Sequence, residues 1–253
     1  MQDDALAELL TLSQNLGDPI NDYVILGEGN TSAKIDDETF WVKASGTELR
    51  TISPNSMVRV HFDRVLAMLD GPDLGDDEIK QALSEAKVDQ EAEGHPSVET
   101  VLHAICLQLP DVNFVGHTHP TAVNMITCSA VFETAISGRL FPDEIVVCGP
   151  APVVVPYIDP GLPLAREVQR RINGYIDTYG ERPKTIFMQN HGFIALALTA
   201  QQVENITAMA VKTAQILVGT YALGGPHFMT SEAVNRIHTR PDEHYRQRII
   251  GKG

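Results

Sequence analysis

Positive charge is scarce in this sequence: 19 lysines and arginines stand against 33 aspartates and glutamates, a net charge of −14. Gripping a phosphate backbone needs a basic face, so the balance argues against a nucleic-acid partner. A chain this acidic that handles a small phosphorylated molecule must gather positive charge locally, from a metal, a lysine or backbone amides. Cysteine is sparse too. The three present, Cys106, Cys128 and Cys148, form no CxxC pair and sit among apolar or small residues, which predicts reduced core positions rather than a redox or ligand role. No apolar run approaches the roughly 20 residues of a membrane span. The opening MQDDALAELL carries two acids where a signal peptide needs bases, so the cytoplasm is the expected compartment. Repeats, low-complexity tracts and convincing linkers are all missing, and the 253 residues predict one domain over 1–253. A chain of that size buries roughly 70–75% of the surface its unfolded form exposes and needs no disulfide scaffold.

What is there reads as alternating helices and strands. Leu6, Leu9, Leu10 and Leu12 mark one face of an opening helix. YVILGEGNTSAKI and TFWVKAS read as strands joined by a turn at Asp36-Asp37. LDGPDLGDDEIKQAL, residues 69–83, is the most loop-like stretch and reads as an internal connection. VETVLHAICLQL has helical spacing, and VNFVGHTHP reads as a buried strand leaving the core. IVVCGPAPVVVPYI reads as β structure broken by prolines, and LAREVQRRINGYI as an amphipathic helix. KTIFMQNHGFIALAL reads as two strands around an Asn-His-Gly turn, followed by a long helix capped by Thr199. This order predicts an α/β domain with a mixed or antiparallel sheet.

Four features carry candidate chemistry. His117 and His119 are two apart in a strand-like segment, so both imidazoles leave one face, either as two ligands for one metal or as two polar residues at a strand exit. His191 stands in a turn between apolar strands, where a ligand is aimed with little freedom; spacing alone does not bring it to His117. Three imidazoles suit Zn²⁺ or a similar divalent ion and leave a position open for substrate. In HPSVETVLHA, Pro96 and Ser97 read as the start of a helix, with Ser97 as its N-cap. Glu99 in its first turn is either an ordinary surface acid or a base beside a metal, and His103 lies one turn on, more simply structural than a brace. Finally, GEGNTSAK and VKASGTEL are small, amide-rich turns that supply hydroxyls, Asn30 and Lys43. They serve either as hairpin turns or as an anion-binding concavity. The first lacks the third glycine and the following helix of a dinucleotide loop.

Taken in order, GEGNTSAK, WVKASGTEL, HPSVETVLHA, VGHTHP and MQNHGF resemble the class II aldolase/adducin family, the fold of fuculose-phosphate aldolase and ribulose-phosphate 4-epimerase, over roughly residues 5 to 220. Within it, the wording is similar to the aldolase part of two-domain rhamnulose-phosphate aldolase/alcohol dehydrogenase proteins. The resemblance implies a three-layer α/β/α sandwich around a mainly antiparallel sheet, assembled as a homotetramer with active sites between subunits. It implies that His117, His119 and His191 bind a divalent metal, most often Zn²⁺, with Mn²⁺, Co²⁺ or Ni²⁺ as alternatives, and that Glu99 is the proton-transferring base. Gly29, Asn30, Ser45 and Gly46, with Lys43 and Ser97, match the phosphate pocket.

The implied reaction is retro-aldol cleavage of a small ketose phosphate, most simply to dihydroxyacetone phosphate and an aldehyde. The negative charge left on an enediolate oxygen is offset by a Lewis acid while Glu99 moves the proton at carbon. The same fold also supports 4-epimerisation of a pentulose phosphate, or decarboxylation of a keto- or hydroxy-acid. A non-catalytic adducin-like module has no reason to keep three histidines and Glu99. Two departures stand out. Val98 replaces a second serine of several sugar-phosphate members, removing one phosphate hydroxyl. The acid that protonates the other fragment has no match, with Tyr157, Tyr221 and Tyr245 as candidates and a relatively basic tail, HTRPDEHYRQRIIGKG, as a segment that reaches a neighbour's site or frays.

Overall fold

The computed structural model of the chain describes residues 2–72 and 74–241. Strands β1 (Asn30–Lys34), β2 (Thr39–Lys43), β3 (Met57–His61), β4 (Phe114–Thr118), β5 (Val153–Val155), β6 (Thr185–Met188) and β7 (Gly192–Ala197) form one sheet in the order β3-β2-β1-β4-β7-β6-β5. Every pairing is antiparallel except β5 with β6. The helices are α1 (Gln2–Leu16), α2 (Phe62–Asp70), α3 (Asp76–Glu85), α4 (Thr100–Leu107), α5 (Thr121–Thr127), α6 (Phe132–Ala135), α7 (Pro142–Cys148), α8 (Leu162–Tyr179), α9 (Ala200–Tyr221) and α10 (Ser231–His238).

Side chains alternate across the pleat and so feed two separate cores. Val42, Val60, Val115, Ile194 and Leu196 pack with Val65, Leu102, Ile105 and Val168 of α2, α4 and α8. Ala33, Phe114, Phe193 and Ala195 pack with Leu9, Leu12, Val123, Val203 and Ile206 of α1, α5 and α9. The result is the α/β/α sandwich around a mainly antiparallel sheet. Each buried Val, Leu or Ile side chain favours it by about 1.5–3 kcal/mol. Helix α9 starts as expected: Thr199 accepts from the Gln202 amide, and the Gln202 side chain reaches back in a capping box. No helix among the described residues is long and apolar enough to cross a membrane.

Several local expectations need correction. Of YVILGEGNTSAKI only Asn30–Lys34 is strand, because Leu26 (φ 53°) and Gly29 (φ 66°) turn the preceding segment. The stretch Ile145–Cys148 is helix, not β; its continuous apolar run hides the period, while Pro142 at the first turn and Asp143 and Glu144 beside it supply a helix start. The loop-like 69–83 contains most of α3, with three acids at its N-terminus. Ser97 does not cap α4: Glu99 is the N-cap, Ser97 contributes only its carbonyl to Thr100 N, and its Oγ has no partner. Cys106 and Cys148 are buried and free, and burial pushes both thiols up to about 12, but Cys128 lies exposed just past α5.

Candidate metal centre

Three antiparallel strands meet at the centre of the sheet. Asn30 of β1 pairs with His117 of β4, and His117 pairs with Ile194 of β7. His117 is therefore held on both sides by ladder bonds and is buried. His119 lies just beyond the strand, its N–H donating to Tyr23 O at 2.9 Å. His191 sits in the turn between β6 and β7, where Asn190 takes a left-handed φ of 54° and donates its N–H to Thr127 O at 3.1 Å. Gly192 lets this turn lie against β4, since a Cβ there would stand 2.5 Å from His119 Cδ2.

The three imidazoles converge, with a ligand nitrogen from each of His117, His119 and His191 lying within 4.8 Å of the others. His117 Nδ1 lies 3.0 Å from Phe193 O. A carbonyl only accepts, so Nδ1 carries the proton and Nε2 faces the cluster bare, 3.0 Å from His119 Nε2. Burial, outweighing the Glu99 charge, pulls His117 down to about 4; burial with His117 and His191 does the same to His119. Three imidazoles converging this closely, with His117 Nε2 bare, fit a divalent ion of the Zn²⁺ kind, and the donor set is all nitrogen. Glu28, which the sequence reading passed over, lies behind them, with Oε1 3.8 Å from His119 Nδ1. Its place in GEGN, beside the glycine that turns toward β4, was the available signal.

Glu99 faces this cluster from the start of α4. Its Oε1 is 3.0 Å from His191 Nε2 and 3.6 Å from His117 Nε2, and its Oε2 accepts from Asn30 Nδ2 at 2.7 Å. Burial alone would raise this carboxyl, but the hydrogen bonds it accepts from His191 and the Asn30 amide hold it below the usual carboxylate range.

The residues matched to a phosphate pocket divide. An isolated bridge between Ala44 and Pro96 sets the Ser45–Gly46 turn beside Ser97, and Ser45 N donates to His95 O at 2.9 Å. Ser45 and Gly46 are exposed, and the Ser97 hydroxyl has no protein partner. Lys43 is buried; its ammonium donates to Thr47 O at 2.6 Å and Gly27 O at 3.4 Å, tying the two amide-rich turns together. Burial lowers its pKa, against the pull of Glu99. Gly29 accommodates the His117 carbonyl, 2.5 Å from where a Cβ would be. Asn30 is turned to Glu99 and His103 rather than outward. Of the candidate second acids, Tyr157 is exposed, donates its hydroxyl to Asp159 Oδ1 at 2.9 Å, and is tied to the His191 turn because its N–H donates to Gln189 Oε1. Tyr221 is the exposed last residue of α9. Tyr245 and the tail beyond Pro241 lie outside the described residues.

Comparison with known proteins agrees with this architecture. Residues 8–218 match the model of the Class II Aldolase and Adducin N-terminal domain. The "Uncharacterized oxidoreductase YuxG" of Bacillus subtilis (strain 168) is 27% identical over 197 residues, 75% of this chain and 26% of that protein. The chain thus spans about a quarter of the length of this curated relative. The N-terminal class II aldolase domain of a conserved Thermoplasma acidophilum protein superposes with a TM-score of 0.65 at 28% identity, covering 83% of this chain and 92% of that one. An L-fuculose 1-phosphate aldolase gives a TM-score of 0.70 at 18% identity, covering 94% and 96%, a likeness of fold.

Proposed function

The chain belongs to the class II aldolase and adducin family, and from that premise we propose that it is a divalent-metal-dependent aldolase cleaving a small ketose phosphate to dihydroxyacetone phosphate and an aldehyde. One observation carries this reading: a carboxylate oxygen, Glu99 Oε1, stands 3.0 Å from His191 Nε2 at the edge of a three-imidazole cluster. A binding module has no use for a buried base aimed at a ligand set. His117, His119 and His191 would hold the metal, Zn²⁺ first among the candidates. Bound there, it would supply the Lewis acidity that offsets charge developing on a substrate oxygen.

The chain's own groups do the rest. As the carbon–carbon bond breaks, the hydroxyl that becomes the aldehyde gives its proton to a second group, Tyr157 or Tyr221 among the described residues, and Glu99 carries a proton to the enediolate carbon. In the reverse direction the ionised Glu99 removes that proton as a base. Ser45 and Gly46, on an exposed turn, would hold a phosphate, with the buried and unpartnered Ser97 hydroxyl to add. Lys43 lends that region positive charge from below while bracing both turns. In our reading the whole of 1–253 is one such domain, working in the cytoplasm as a homotetramer with sites between subunits.

The test is a panel of ketose phosphates and hydroxy-keto acids incubated with metal-loaded protein, scored for aldehyde, epimer and CO₂. Aldehyde release from a ketose phosphate is expected. Epimer without aldehyde would move the reaction to 4-epimerisation, and CO₂ release to decarboxylation. Protein that retains none of Zn, Mn, Co or Ni, with no product on adding them, would refute the metal-enzyme reading.

A further inference from the structure

Behind Glu99 runs a line of buried polar side chains. Asn30 and Ser32 are two apart on β1 and share a face; Glu99 and His103 are four apart at the start of α4 and share another. Where the two faces meet, Glu99 Oε2 lies 2.7 Å from Asn30 Nδ2, Asn30 Oδ1 meets His103 Nε2, and His103 Nδ1 lies 2.7 Å from Ser32 Oγ. Asn30, His103 and Ser32 are 5%, 0% and 0% exposed, so no bulk water competes for these contacts.

Each link fixes the next. Asn30 gives its NH₂ to Glu99 Oε2. That turns Asn30 Oδ1 to His103, and a carbonyl oxygen only accepts, so His103 Nε2 carries the hydrogen. A neutral imidazole then has a bare Nδ1, which takes the Ser32 hydroxyl hydrogen. Burial, with Lys43, holds His103 down to about 4, against the pull of Glu99, which keeps the ring neutral across the working range. Reversing any one contact would set two acceptors, or two donors, face to face in the core.

We propose that Asn30, His103 and Ser32 are positioning residues, a one-directional hydrogen-bond relay that anchors Glu99 by Oε2. Oε1 is thereby left as the oxygen that carries the proton. The side chain of Asn30 is then committed to the base, and His103 acts on Glu99 through Asn30 without touching it. This deepens the proposed function and rests on Glu99 being its base.

Histidine-selective ¹⁵N NMR on the full-length wild type gives the first test. His103 is expected as the neutral Nε2–H tautomer from pH 8 to pH 5; an Nδ1–H tautomer or an imidazolium in that range overturns the relay. Variants give the second. His103→Leu removes the donor to Asn30, and should keep its bound metal while kcat falls about 100-fold with KM little changed. His103→Gln, which restores an N–H near the Nε2 position, should recover most of kcat. A His103→Leu protein that is folded and turns over at the wild-type rate overturns the proposal, as does a His103→Gln protein as impaired as His103→Leu. If His103→Leu fails to fold, the wild-type spectrum still decides. Wild type inert on every substrate of the panel refutes the aldolase reading, whereas the tautomer tests the relay separately.

Discussion

Gly192→Ala puts the convergence of the three histidines under direct stress. The added Cβ would lie 2.5 Å from His119 Cδ2, 2.7 Å from Thr118 O and 3.2 Å from His117 Cε1. Unstrained carbon contacts need about 3.5–4.0 Å, so something must move by roughly 1 Å. Thr118 O is backbone in the ladder that pairs Thr118 with Phe193, and His117 is held through Phe193 O. The His119 ring, beyond the strand end, is the part that yields, and it cannot move without leaving the cluster. A 1 Å displacement of a positioned group can cost about 100-fold, and a loss of that order in metal affinity is expected. Gly116→Ala is the control. Its Cβ would meet Val203 Cγ1 at 2.6 Å and Leu16 Cδ1 at 3.1 Å, on the opposite face of the same strand. Overpacking there should cost about 1–3 kcal/mol of stability and leave metal affinity unchanged. Competition against a chromophoric chelator measures the first quantity, and urea unfolding of metal-free protein the second. Gly192→Ala binding metal as tightly as wild type would refute the reasoning, as would Gly116→Ala losing metal equally while folded.

Three further outcomes follow from the geometry. Glu99→Gln should keep its metal and lose about 10²–10⁴-fold in turnover, the usual worth of a positioned base; normal turnover on the substrate panel would remove that role. The metal-free protein should weaken in acid: His103 is held to about 4 by burial against an unfolded value near 6.5, so the unfolded chain takes the proton first. Stability is whole above pH 6.5 and declines toward pH 4, by about 3 kcal/mol for this one group; a urea midpoint unchanged between pH 7 and pH 5 would contradict this. Arg139→Met should destabilise by about 3–5 kcal/mol, because the buried Glu144 loses its 2.8 Å partner, while the histidine cluster keeps its metal. Adding Glu144→Leu to that variant should restore much of the loss, and a single variant as stable as wild type would show that the pair contributes little.

Spacing alone revealed that His117 and His119 share a face, because the strand period is two. It also showed β6, β7 and the Thr199 cap, where turn chemistry and alternation agree. It did not show that β4 inserts between β1 and β7, strands some 80 residues away on either side in sequence, because periodicity carries no information about partners. The family resemblance tied His191 and Glu99 to the pair but carried no strand order, which the structure supplied. Helix α7 stayed hidden because Ile145–Cys148 is apolar at every position and so has no period to read. The Ser97 cap failed for a different reason: a cap residue and the residue two before it look alike in sequence, and only backbone geometry separates them. Cys128 was read as core from its small and apolar neighbours, yet α5 ends just before it and leaves it exposed.

The relation between Gly116 and the two histidines explains why this strand has one register. A slip of one residue would carry every side chain of β4 to the other face. Gly116 and Thr118 would then point to the α4 side, and His117 toward α1 and α9. That second core has no room for an imidazole at this level, since even a methyl group at 116 would stand 2.6 Å from Val203 and 3.1 Å from Leu16. The correct register instead places His117 opposite Asn30 and Ile194, with its Nδ1 against Phe193 O. Thr118 lies buried on the other face. Gly116 in VGHTH is thus what prevents the histidines from facing the wrong layer. It acts by packing, from the side of the sheet that does no chemistry.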